Sequence, residues 1–256
     1  IFVPSDTSPQ EVRDCLHEEL AQALGPLNDL YRLPDSVFND DNFHTVLTGF
    51  DMLILRLHYS ADLRNGMALA DVAARLPGLL AKMNPRGDFG GRGSTGVGPR
   101  DWVQSIETAL GPRTADAARI KAAERALSIA RAEGWTDNRL AFSYFAVGRL
   151  SLGKDVFHAI ASFAEASRVY QSLPDGPVHS AHVDMQMAAF ALSSGQPEVT
   201  IKLADRAIPV VARAQNAALL ATLMLLKAQA LDQLGRADEA QLVRLDSLGW
   251  ARYGFG

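Results

Sequence analysis

Between residues 18 and 29 the chain gathers oxygen donors at helical spacing: the carboxylates of Glu18, Glu19 and Asp29 and the amides of Gln22 and Asn28. Glu18 and Gln22 stand four residues apart, on one face of a helix. Such an all-oxygen set suits calcium or magnesium better than zinc, which is held by imidazole and thiolate. Metal-assisted hydrolysis requires a bound cation that acidifies water before a glutamate takes its proton. With no imidazole or thiolate among them, these residues predict no catalytic site, no bound metal and no cofactor.

Other constellations are weaker. His179-Ser180-Ala181-His182-Val183-Asp184 puts two histidines about one helical turn apart with an aspartate nearby, a spacing able to hold a metal. The run follows Pro177 at a helix start, where polar residues are expected to cap and to face solvent. His17, His44, His58 and His158 share no local pattern, and no Gly-x-Ser-x-Gly elbow places a serine nucleophile. Residues 86–100 hold six glycines, but no Lys-Ser or Lys-Thr follows them. They predict a connector and not a phosphate-cradling loop.

Helices must position these groups. Ser8-Pro9-Gln10-Glu11 reads as a helix start, with Ser8 as cap, Pro9 at the first helical position and Glu11 placed for a capping box. Val12, Leu16, Leu20 and Leu24 then form an apolar stripe at four-residue spacing. By periodicity alone, Cys15, Glu18, Glu19 and Gln22 also fit the solvated face of that helix, ending at a Gly25 cap. Beyond the connector, Leu110-Gly111, Leu152-Gly153, Ser194-Gly195 and Leu234-Gly235 punctuate apolar-periodic segments at intervals of 42, 42 and 40 residues. That period predicts stacked helical hairpins. Leu219, Leu220, Leu223, Met224, Leu225 and Leu226 make one helix apolar nearly all round and place it at the centre of the last pair. The expected fold is mostly α, with a strand-like Ile1-Phe2-Val3-Pro4 at the start. It divides into an amino-terminal module (1–85), a linker (86–100) and a helical repeat domain of about four hairpins (101–256).

The run Glu18 to Asp29 resembles the metzincin zinc motif HExxHxxGxxHD, with Glu18, Gln22 and Asn28 where its three histidines stand and Glu19, Gly25 and Asp29 in register. Phe38 stands where the methionine of the family's Met-turn would be. The resemblance implies a peptidase frame that has lost its zinc ligands. Through Cys15-Leu16-His17-Glu18-Glu19, Leu24-Gly25, Asn28-Asp29 and Asn65-Gly66-Met67, the first third of the chain also resembles domain-of-unknown-function family 2927, a bacterial family without assigned activity. That resemblance favours a periplasmic, envelope-associated or secreted setting. The segment from Leu140 to Pro174 resembles a lengthened tetratricopeptide repeat, which implies an α-solenoid.

Composition narrows the function. A net charge of −4 and no run of Lys and Arg argue against a nucleic-acid surface. No apolar stretch has the length of a membrane span, and the single cysteine, Cys15, excludes an intrachain disulfide. The chain begins at Ile1, which suggests that an upstream segment was removed or that the peptidase-like frame is partial. A non-catalytic scaffold that binds a protein or peptide segment is the expected function. The alternatives are a diverged metal-dependent peptidase and a structural subunit of an envelope or secreted assembly. Aromatic density in the tail makes Trp250, Arg252, Tyr253 and Phe255 candidate docking residues.

Overall fold

The computed structural model describes residues 9–27, 30–31, 33, 36–39, 43–85, 87, 99–111, 114–174 and 176–251. Among them are eleven helices and no strand: α1 (Pro9–Ala23), α2 (Gly49–His58), α3 (Leu69–Met83), α4 (Arg100–Leu110), α5 (Asp116–Ala132), α6 (Asn138–Ser151), α7 (Val156–Gln171), α8 (Pro177–Ser193), α9 (Pro197–Arg213), α10 (Ala217–Gln233) and α11 (Ala237–Ala251). The class is mostly α. Ile1–Pro4, residues 86 and 88–98 of the connector, and Arg252, Tyr253 and Phe255 of the tail lie outside the described residues. Trp250 falls in the last turn of α11.

Helix α1 starts at Pro9, where a missing N–H leaves no intrahelical partner unsatisfied. It ends before Gly25, whose φ of +142° is open to glycine and whose added Cβ would come within 2.2 Å of the His58 ring. The end of α2 therefore closes against the end of α1, and the Tyr59 hydroxyl donates to the Leu24 carbonyl at 2.8 Å. Helix α2 opens on a capping box in which the Thr48 hydroxyl accepts from the Asp51 N–H and the Asp51 carboxylate accepts from the Thr48 N–H. The same carboxylate, fully buried, accepts from the Ser36 hydroxyl at 2.6 Å and the Val37 N–H at 3.1 Å. Asp51 thus ties the irregular stretch between α1 and α2 to the start of α2. Ala21, Val37 and Phe38 form a small core around it.

From α4 onward each helix packs on the next in chain order, and α4 with α6 and α8 with α10 also touch directly. Small residues allow this approach: Ala126, Ala159, Ala166 and Ala204 have no exposed surface. A Cβ on Gly148 of α6 would lie 2.9 Å from the Phe163 ring of α7. The punctuating glycines follow α4, α6, α8 and α10, and Gly195 and Gly235 adopt φ of +71° and +73°, the left-handed conformation that closes a helix. Leu219, Leu220 and Leu223 bury α10 between its neighbours, while Leu225 is 47 % exposed.

Two expectations are corrected. Leu20 and Leu24 of the α1 stripe are half exposed, whereas Arg13, His17, Glu18 and Gln22 are half-buried. The reason is that α1 meets the polar ends of other elements: His17 Nδ1 donates to the Thr45 carbonyl at 3.0 Å and Arg13 reaches the Gln215 carbonyl at 3.4 Å. Likewise His179 and Asp184 are buried and His182 is half-buried, none of them fully solvated, because the stretch containing Phe43 covers the two histidines and Arg206 of α9 pairs with Asp184.

Candidate functional site

The helices α4, α6, α8 and α10 share a face, and across it lies the irregular stretch between α1 and α2. Each contact is built from a local feature of the sequence. Trp102 of α4 is fully buried, its indole N–H held by the Ser143 hydroxyl at 2.9 Å, which in turn donates to the Arg139 carbonyl. Tyr31 meets Trp102 edge-on at 5.2 Å and stacks on Phe142 at 6.0 Å. Asn138, in the first turn of α6, donates from its side-chain amide to the Tyr31 carbonyl. The Asp137 cap before it binds the buried guanidinium of Arg139, which also lies 3.7 Å from the centre of the Trp135 ring.

Phe43 is the second anchor. Only 3 % exposed, its ring lies 4.4 Å from His182, 4.7 Å from His179, 5.5 Å from Phe145, 5.7 Å from Phe142 and 6.1 Å from Tyr170. Asn216 caps α10 by accepting from the Leu219 N–H, and its amide nitrogen donates to the Phe43 carbonyl at 3.3 Å. One asparagine therefore both starts a helix and holds a main-chain carbonyl of a segment far away in sequence. The residue before it, Gln215, adopts a φ of +56°, an uncommon conformation for a non-glycine residue.

Beside Phe43 opens a cleft of about 410 Å³, walled by Cys15 and Glu18 from α1, His44 and Thr45 from the stretch, His182 from α8 and Thr222 from α10. His182 borders this cleft, yet its Nε2 is buried and has no hydrogen-bond partner. Burial, reinforced by His179 and His44, pushes its pKa down from 6.5 to about 3, against a hydrogen bond that the imidazole donates to the Phe43 backbone, which acts the other way. The imidazole is neutral at ordinary pH. A second cleft, of about 510 Å³, is lined by Gly25, Leu27, Leu30, Leu33, Phe38, Phe50 and Ile54. Its described lining residues are uncharged, and Leu27 is 73 % exposed.

Of the residues singled out in the sequence, Glu18 lines the first cleft, Glu19 is exposed and Gln22 is half-buried, while Asn28 and Asp29 lie outside the described residues. Among the described residues no three His, Cys, Asp or Glu side chains come together to hold a metal ion. Nor is any helix there long and apolar enough to cross a membrane. Residues 1–78 match the model of a family described as a protein of unknown function, DUF2927. The match covers the first 78 of the chain's 256 residues, and this segment is similar to that family. No curated protein and no solved structure matches the chain. The DUF2927 segment contains α1, α2, Tyr31 and Phe43, so both anchors sit in it and their receptors lie beyond it. Local periodicity missed Tyr31, Phe43, Asn138 and Asn216. The available signal was an isolated phenylalanine in the polar run Asp40-Asp41-Asn42-Phe43, since an aromatic side chain in a polar loop needs a pocket.

Proposed function

We propose that the protein is a non-catalytic scaffold in which the helical array holds polypeptide segments and the DUF2927 module presents an apolar cleft to another protein. One observation carries the reading: the side-chain amides of Asn138 and Asn216 donate to main-chain carbonyls of a segment whose aromatic side chains fill pockets on the same face. Carbonyl contacts are independent of side-chain identity and pockets for aromatic rings supply selectivity, the division of labour by which grooves recognise peptides. Here the surface is occupied in cis. The exposed Leu27 and the apolar described lining of the cleft around it extend the reading to a partner, because exposed apolar patches mark interaction sites. The oxygen donors Glu18, Glu19 and Gln22 on α1 support the non-catalytic half of the proposal, as a metzincin-like frame without imidazole ligands has nothing to activate water.

The test uses the full chain carrying Phe43→Ala, which vacates the aromatic pocket. A fluorescent peptide of residues 30–47 should bind this variant saturably, bind wild type far more weakly, and be recovered intact by mass spectrometry. A folded variant that ignores the peptide, or cleaves it, contradicts the proposal.

A further inference from the structure

We propose that the amino-terminal module is latched to the helical array by a proton-sensitive contact, and that acidification from about pH 7 to pH 5 weakens it. The geometry is a cluster of three imidazoles from two elements around one apolar ring. His182 lies 4.4 Å and His179 4.7 Å from the Phe43 ring, and His44, the next residue on the stretch, lies 5.6 Å from His179. His179 is 1 % exposed and stacks on Tyr170 at 5.0 Å. His182 Nε2 has no acceptor to which a proton placed on it could be donated.

The groups facing His182 offer little to stabilise a charge. From the stretch comes His44 and from its own helix His179, both of which oppose protonation; from α6 comes the exposed Arg149, also a cation. Helix α7 presents the Tyr170 phenol, and α10 presents Asn216 and Leu219, all neutral. Across the cleft α1 presents Cys15, Glu18 and, at the Thr45 carbonyl, His17. Glu18 is the carboxylate on that wall, and it does not offset the burial that dominates at His182. A proton is therefore bound much more weakly when the module is docked than when Phe43 has left and the ring meets water.

The sign follows from linkage. A histidine whose pKa is lowered in the docked state, to about 3 from 6.5, contributes docking stability that is complete above pH 6.5 and is lost as pH falls toward 3. Between pH 8 and pH 5 the docking equilibrium shifts toward release by about 30-fold from this one group.

Hydrogen exchange of the full chain, corrected for the intrinsic effect of pH, tests the latch. Protection of residues 43–58 should fall by about 30-fold from pH 8 to pH 5, while α9 and α10 keep theirs. His182→Phe and His182→Gln, each checked for helical content by circular dichroism, should flatten that dependence. An equal loss along the whole chain, no loss at residues 43–58, or an unchanged pH dependence in a folded His182 variant overturns the proposal. If neither variant folds, the wild-type contrast between residues 43–58 and α9–α10 decides it.

Discussion

Replacing Phe43 by alanine should loosen the amino-terminal module and leave most of the array untouched. The side chain is 97 % withdrawn from solvent and bordered by five aromatic or imidazole rings that belong to α6, α7 and α8. Truncating a phenylalanine in such a setting costs about 3–5 kcal/mol, the lost transfer energy plus the cavity left behind. The cleft beside His182 admits water to part of the vacated space, which places the expectation near the lower end, about 3 kcal/mol. What remains to hold the stretch includes two amide-to-carbonyl hydrogen bonds, worth about 1 kcal/mol each, the bonds of His182 to the Phe43 backbone and of His17 to the Thr45 carbonyl, and the Tyr31 contacts. Native-state hydrogen exchange resolves the location of the loss. Opening free energy should drop by about 3 kcal/mol across residues 43–58, with α9 to α11 changed by less than about 0.5 kcal/mol. A loss below about 1 kcal/mol at the module, or the same loss throughout the chain, would refute the view that Phe43 anchors one part of the molecule to the other.

Three further outcomes follow from single residues. Asp51→Asn keeps shape but turns one acceptor toward the donors Ser36, Val37 and Thr48, and should destabilise the module by about 2–3 kcal/mol in urea titrations followed by circular dichroism; a change within about 0.5 kcal/mol contradicts the role given to this carboxylate. Asn216→Ala removes a helix cap and a clamp on Phe43 together, for about 2 kcal/mol, whereas Asn216→Asp should restore the cap alone, an asymmetry that thermal melts can read. Purified protein should carry no stoichiometric zinc, and close to one equivalent that survives dialysis and disappears in Glu18→Ala would overturn the dead-site reading of α1.

Local rules made much of the fold legible. Pro9 sets the start of α1, Pro177 and Pro197 those of α8 and α9, and the glycines at 111, 153, 195 and 235 follow helices as their spacing implies. Each of these positions is decided within a few residues of chain. The candidate site was not legible for the opposite reason. His179 and His182 read as polar residues at a helix start, and contacts with Phe43 from the distant stretch and, for His179, with Tyr170 of α7 turn them inward. Asn216 looks like a cap and is one, but its second hydrogen bond spans 173 residues of sequence. Asp51 lay within reach, since Thr48-Gly49-Phe50-Asp51 has capping-box spacing. Its bonds to Ser36 and Val37 depend on a loop that no periodicity describes. Leu20 and Leu24 mislead because an apolar stripe shows which residues prefer burial, not which face the rest of the chain can cover.

The stretch between α1 and α2 lies on the shared face of α4, α6, α8 and α10, with α1 across the cleft from α10. Cys15, the single cysteine of the chain, lines that cleft, and so does Thr222 of α10. Treating the Thr222→Cys variant with a short bis-maleimide measures the arrangement directly. An intrachain Cys15–position 222 cross-link in the monomer is the predicted product, with none in an Ala161→Cys control on the exposed side of α7. Equal cross-linking of both variants, or only interchain products from Thr222→Cys, would contradict the account.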